Sequence, residues 1–265
     1  MYGISLKEEY FSFILDNNPQ IDFLEIHAEN FFCFDASRNK LLYEIKQHYS
    51  ISIHSVGLSL GSSEDLDLEH LNQLKILCDK IEPILISDHL SWSKYNNFDF
   101  NDLLPLIYDD ELLNLLASKI NKVQNILGRK ISIENPARYI DFNCSKYDET
   151  DFINKLIDKT NCYLLMDLNN LLISSHNLKF NPIDYINKIN PDNIQEIHIA
   201  GSQFIKDKNI FIDTHNCHIS DELLNLFKAT NIANDKYILY EWDNNLPNIN
   251  IYLDEIKNLK LLSNE

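Results

Sequence analysis

KISIENP, residues 130–136, alternates Ile131 and Ile133 with Ser132 as a buried strand does, then stops on Glu134, Asn135 and Pro136. A carboxylate at the tip of an apolar strand is costly unless a partner offsets its desolvation. Seven comparable runs lie on either side of it: YGISL (2–6), DFLEI (22–26), SISIH (50–54), ILIS (84–87), CYLLMD (162–167), IQEIHI (194–199) and KYILYE (236–241). Apolar residues at helical spacing fill the gaps, as over 66–81, 111–127 and 221–229, and a last helix is predicted over 249–262. Ser63, Asp148 and Ser220 stand where N-caps are expected. Eight strands alternating with helices in 265 residues predict a single (β/α)8 TIM barrel over 1–265. A doubly wound open sheet would more often carry a Gly-rich turn after its first strand, and none follows YGISL. The longest connection, 201–219, is rich in charged residues and is expected to fold over the barrel mouth.

The net charge of -17 argues against nucleic acid and anionic membranes as partners and allows cations, metal ions included. The five cysteines are scattered and odd in number, with no CxxC, so neither a disulfide framework nor a zinc knuckle is expected, and a reducing cytoplasm fits. MYGISLKEEYF has no basic n-region, and no run reaches about 18 apolar residues, so neither a signal peptide nor a membrane span is expected.

The strand ends carry the chemistry. The third strand ends at His54, the fourth runs into Asp88 and His89, and the fifth ends at Glu134. The sixth ends at Asp167, the seventh carries His198, and the eighth ends at Glu241 with Asp243 just beyond. In barrels the C-terminal strand ends hold the active site. Carboxylates packed together there must take protons or find counter-charge. Metal ions supply it, and imidazole plus carboxylate is a ligand set suited to Fe, Mn or Zn. In IDTHNCH, Asp213 and His215 are two apart, so on an extended segment both face one way. Asn170, three residues after Asp167, is within reach of the same pocket.

His27, Glu29 and Asn30 after the second strand, with Asp88, Asn135, Arg138, Asn169 and Ser202, are expected to contact substrate or to support the ligands from behind. Arg138 would meet a substrate carboxylate or pair with an acid. His48, His70 and His176 are read as surface residues, and Trp92 and Trp242 as pocket walls.

GISL, FLEIHAENF, SIHSVGLSLGS, SDHLSWS, ISIENPARY, LLMDLNN, EIHIAG, IDTH and YEWD occur in that order between residues 3 and 243. Together they resemble the multinuclear non-heme iron-dependent oxidative enzymes of the methanobactin-biosynthesis type. The resemblance implies a TIM barrel holding two or three iron ions, with a mixed-valent Fe(II)/Fe(III) pair. It implies oxidation by dioxygen of a cysteine in a ribosomally made precursor peptide, often presented by a partner protein. It assigns His54, His89 and Glu134 to one iron, with Glu134 bridging to a second completed by Asp167, His198 and Glu241. Asn170, Asp213 and His215 would hold a third, and Asp243 would act as acid or base. The chain departs from the family at Ser202, where AGH is usual, and at Tyr10, where a His is frequent. The layout is also similar to that of metal-dependent endonucleases and sugar isomerases on the same barrel, so a hydrolase or isomerase is the rival expectation.

Overall fold

The computed structural model describes residues 1–34, 36–96, 98–230 and 232–262. Eight parallel strands close a barrel: β1 (Tyr2–Ser5), β2 (Phe23–His27), β3 (Ser50–His54), β4 (Leu85–His89), β7 (Ser132–Glu134), β8 (Tyr163–Asp167), β9 (Ile194–Ala200) and β12 (Tyr237–Glu241). The TIM-barrel prediction holds, and neighbours in the barrel follow chain order, β12 closing on β1. Two antiparallel hairpins are inserted after barrel strands. One is β5 (Trp92–Tyr95) with β6 (Phe98–Leu104), and the other is β10 (Ser202–Ile205) with β11 (Ile210–Asp213).

The helices are α1 (Phe11–Asn17), α2 (Ser37–Ile45), α3 (Leu68–Ile81), α4 (Asp110–Leu127), α5 (Glu149–Thr160), α6 (Leu168–Leu178), α7 (Pro182–Asn187), α8 (Asp221–Thr230) and α9 (Ile249–Leu262). Asp148 caps α5 by accepting from Asp151 N–H, and Ser220 Oγ accepts from Leu223 N–H at 3.2 Å, as predicted. Ser63 caps nothing. The α3 cap is Asp67, whose carboxylate accepts from the Glu69 and His70 N–H groups, since the helix starts at Leu68. Among the described residues no helix is long and apolar enough to cross a membrane.

The alternation of strand side chains fixes where the chemistry goes. One set, including Leu24, Ile26, Ile53, Ile86, Ile133, Leu164, Met166, Ile197 and Ile199, belongs to the apolar core shared with the helices. The other set is polar: Glu25, Ser52, His54, Ser87, His89, Ser132, Glu134, Asp167, Glu196, His198 and Glu241 are all buried. Parallel register brings these together across neighbouring strands, pairing His27 with His54, His89 with Glu134 and Asp167 with His198.

Candidate metal centre

At the mouth a cavity of about 490 Å³ is lined by His27, Glu29, His54, His89, Glu134, Asn170, Asp213, His215, Glu241 and Asp243. Asp167 and His198 lie deeper, both fully buried. Glu134 Oε2 is 3.4 Å from His54 Nε2 and 3.4 Å from His89 Nε2. His54 is aimed by Ser87, whose Oγ is 2.7 Å from its Nδ1. His198 Nδ1 is 3.3 Å from Glu241 Oε2, and Asp167 and Glu134 have ligand atoms within 4.8 Å of one of the two His198 ring nitrogens. The β10–β11 hairpin delivers Asp213 and His215, with His215 Nε2 2.7 Å from Asp213 Oδ1 and His215 Nδ1 3.4 Å from Glu241 Oε2. The pair meets because His215 takes a left-handed backbone (φ 44°), not because the segment stays extended.

Asn170 donates to Glu134 Oε1 at 3.2 Å and keeps its own Oδ1 unpaired. Asn135 clamps the end of β8 in both directions, donating to Asp167 O and accepting from Asp167 N–H at 2.9 Å each. Asn169 donates to Asp213 Oδ1 at 2.8 Å and so fixes the hairpin to α6. Asp243 is hydrogen-bonded by Lys7 and by His215 Nδ1 (3.1 Å). His27 Nε2 is 3.4 Å from Glu241 Oε1.

A cation fits what these residues present. Among the described residues, Glu134 Oε2, Asp167 Oδ2, Asn170 Oδ1, both ring nitrogens of His198 and His215 Nε2 are buried without an aligned hydrogen bond, for all their close carboxylate–imidazole contacts. Buried polar atoms in native proteins are nearly always paired. Separations of 3.4 Å between Glu134 and the two imidazoles suit donors about 2.0–2.2 Å from a shared ion.

The electrostatics say the same. Burial, with the charges of Asp167 and Glu241, drives Glu134 well above the usual carboxylate range despite the opposing pull of His198. Burial and then Asp213 push Asp167 up to about 7. Burial holds His89 down at about 4 and His54 well below the usual imidazole value, helped at His54 by the other imidazoles. Burial also opposes charge on His198 and His215, but the surrounding carboxylates raise both well above that value. The same two histidines keep Glu241 ionised against its burial. Without a cation the cluster needs protons to stay together, and a bound ion would replace them.

Several of the expected residues lie away from the cavity. Of the two readings of Arg138, the structure shows the pairing with an acid: it is buried beside α5, its Nε 3.3 Å from Glu149 Oε2 and its Nη1 3.6 Å from Asp141 Oδ1. The chain turns away after Pro136, so the acid it meets is structural. Asn30 is exposed and is not part of the cavity wall. Asp88 points away from the cavity and holds the following loop, accepting from Leu58 N–H at 3.2 Å and His89 N–H at 2.7 Å. Ser202 opens the β10–β11 hairpin opposite Asp213 and is not among the residues lining the cavity. Tyr10 is buried, donating to Pro247 O at 2.8 Å. Trp92 lines a separate cavity with Tyr95 and Leu106, and Trp242 is buried in the core. His70 is not a surface residue: it is buried on α3, 3.2 Å from Glu29 Oε1.

Glu29 also accepts from Ser55 Oγ (2.9 Å) and Val56 N–H (3.0 Å), which makes it a brace for the loop after β3. Burial favours its protonation, but His70 and the Val56 N–H prevail and hold its pKa at about 2, against 4.5 ordinarily. A carboxyl depressed on folding adds stability above its unfolded pKa and loses it as pH falls through the folded value. Glu29→Gln is therefore expected to cost roughly 1–3 kcal/mol at pH 7. The deficit should shrink below pH 4.5 and vanish near pH 2 in thermal unfolding curves. A deficit independent of pH would show that the brace is steric.

Residues not anticipated from sequence are Lys7 on Asp243, and Glu25 and Glu196 beneath His198, at 3.3 and 3.6 Å from its Nε2. The signal for the last two is period-two spacing: Glu25 precedes His27, and Glu196 precedes His198, on the same strand face.

A family model for RiPP precursor modification enzymes of the MbnB/TglH/ChrH type matches residues 1–264. The chain belongs to this family. A UPF0276 protein of Vibrio parahaemolyticus is 39% identical over 265 residues, covering 99% of this chain and 92% of that protein. Solved structures share the fold at much lower identity. A xylose isomerase domain-containing protein from Salmonella typhimurium has a TM-score of 0.69 at 11% identity, covering 100% of this chain and 97% of that one. Endonuclease IV from Thermus thermophilus has a TM-score of 0.64 at 11% identity, covering 98% of each chain. Family membership makes the chain a modification enzyme of ribosomally made peptides, while the two solved structures bear on the barrel alone.

Proposed function

We propose that the protein is a multinuclear iron enzyme that uses dioxygen to oxidise a cysteine of a ribosomally made precursor peptide presented by a partner protein. The observation that carries this reading is the convergence of buried imidazole, carboxylate and carboxamide atoms without an aligned hydrogen bond from β7, β8, α6, β9 and the segment after β11. His54, His89 and Glu134 would hold one iron. Glu134, Asp167, His198 and Glu241 would hold a second, and Asn170, Asp213 and His215 a third. Bound iron would supply the redox chemistry and open positions for thiolate and dioxygen.

The chain's own residues do the rest. The β10–β11 hairpin carries Asp213 and His215 to one side of the mouth, and Asp99, Asn101, Asp102 and Leu103 of the β5–β6 hairpin line the other. They narrow access for water around a buried floor. Asp243 is partly exposed, with its carboxylate held by Lys7 and His215. It would accept the proton released when a substrate thiol becomes a thiolate. Lys7 keeps that carboxylate turned into the cavity.

The test is elemental analysis and Mössbauer spectroscopy on protein purified anaerobically from iron-rich cells, followed by dioxygen uptake on adding a cysteine-containing precursor peptide. Two or three irons per chain with a coupled pair, and peptide-dependent uptake, support the reading. Stoichiometric zinc or manganese with no iron even when iron is supplied points instead to hydrolase or isomerase chemistry.

A further inference from the structure

The two ring nitrogens of His198 face opposite ways. Nδ1 is 3.3 Å from Glu241 Oε2, on the mouth side, since Glu241 is in register with Ala200, two residues beyond His198. Nε2 is 3.3 Å from Glu25 Oε1 and 3.6 Å from Glu196 Oε1, the latter two residues before His198 on the same strand. Glu25, Glu196 and His198 are all at or below 1% exposure. Glu25 is itself anchored, its Oε2 accepting from Ser52 Oγ at 2.7 Å. The chain Ser52–Glu25–His198 therefore crosses three barrel strands, β3, β2 and β9, beneath the mouth.

His54 offers the contrast. Its Nδ1 is 2.7 Å from the Ser87 hydroxyl, which can donate or accept and so leaves the ring's proton free to sit on either side. His198 has two carboxyl groups behind it. A carboxylate only accepts, so it demands a proton from the nitrogen it faces. An imidazole with its proton fixed at one nitrogen presents a lone pair at the other, and a carboxylate behind a ligating histidine also increases its basicity.

We infer that Glu25, anchored by Ser52 and assisted by Glu196, is a positioning residue that fixes the His198 proton on Nε2 and commits Nδ1 to the metal. The inference rests on the reading of His198 as a metal-facing residue. It goes further by stating which nitrogen binds and what chooses it. Glu25 takes no part in the chemistry of the substrate.

The experiment is a crystal structure of the full-length wild-type protein soaked with zinc, together with zinc affinities by chelator competition. The expected structure has His198 Nδ1 on the ion and Nε2 within hydrogen-bond distance of Glu25. Glu25→Leu should weaken zinc at the site holding His198 about 10–100-fold, the range for such supporting carboxylates. Glu25→Gln keeps an acceptor oxygen and should stay within a few-fold of wild type. Ligation through Nε2, or an ion seated between Glu25, Glu196 and Nε2, overturns the inference and needs no variant that folds. A wild type that takes no zinc or iron sinks the metal reading instead. In that event, ¹H–¹⁵N correlation spectra of histidine-labelled, metal-free protein decide the positioning role. A proton on Nε2 supports it, and a proton on Nδ1 alone overturns it.

Discussion

Glu134→Gln is expected to abolish tight metal binding while making the metal-free protein more stable. Glu134 Oε2 is the atom shared by His54 and His89, and its carboxylate adjoins Asp167 and His198. Neutralising it removes one formal charge and one donor from two ion positions together. The loss in affinity should be at least about 100-fold, the upper end for residues that only support a ligand. The stability effect has the opposite sign. Burial raises the Glu134 pKa in the folded chain above its ordinary value of 4.5. Between those two values the native state binds more protons than the unfolded one, so stability falls as pH rises. The isosteric amide has no charge to bury. The metal-free variant should gain roughly 1–3 kcal/mol over metal-free wild type at pH 8, and less as pH falls toward the ordinary carboxylate range. Chelator competition and thermal unfolding read the two effects separately. A metal-free variant less stable than wild type at pH 8 would mean that Glu134 already has adequate partners inside the protein.

Gly201→Ala should damage one side of the site alone. A Cβ built on Gly201 falls 2.0 Å from Cys217 O, a backbone atom that cannot swing aside. The segment it strikes is pinned elsewhere: His215 N–H donates to Gly201 O at 3.0 Å, and His215 O accepts from Asp243 N–H at 2.8 Å. Relieving the clash moves His215 and, through it, Asp213. The barrel strands carrying His54, His89 and Glu134 lie outside the strained loop. The expected result is a stability cost of about 1–3 kcal/mol, usual for overpacking. Metal content should drop by the equivalent that depends on Asp213 and His215, while the remainder is retained. Full metal content in a folded Gly201→Ala protein would separate the hairpin residues from metal binding.

Much of this molecule is legible in the sequence because the strands announce themselves by alternation and the ligand types recur at the same end of each. Glu134 stood out as a charge terminating an apolar run. Glu25 and Glu196 did not, because FLEI and IQEI read as ordinary strand interiors until the barrel shows that their polar face has no water beside it. The β5–β6 hairpin was illegible for a different reason: its strands bury little, and Phe98 and Phe100 are exposed, so no periodicity marks it. For Arg138 the sequence leaves a substrate carboxylate and a protein acid equally open, because position after a strand end says nothing of direction once a proline redirects the chain. His70 misled because, read as a helix surface position, it gave no hint that Glu29 would approach from another loop.

Parallel pairing within a closed cylinder has one more consequence. On the proposed assignment the donors come from β3, β4, β7, β8, β9 and β12, from α6 and from the segment after β11, and no two consecutive barrel strands supply a complete set. His54, His89 and Glu134 come together once β3, β4 and β7 pair, whereas the group of Glu134, Asp167 and His198 needs β7, β8 and β9. The groups would therefore become complete in chain order, the one that includes His215 and Glu241 last.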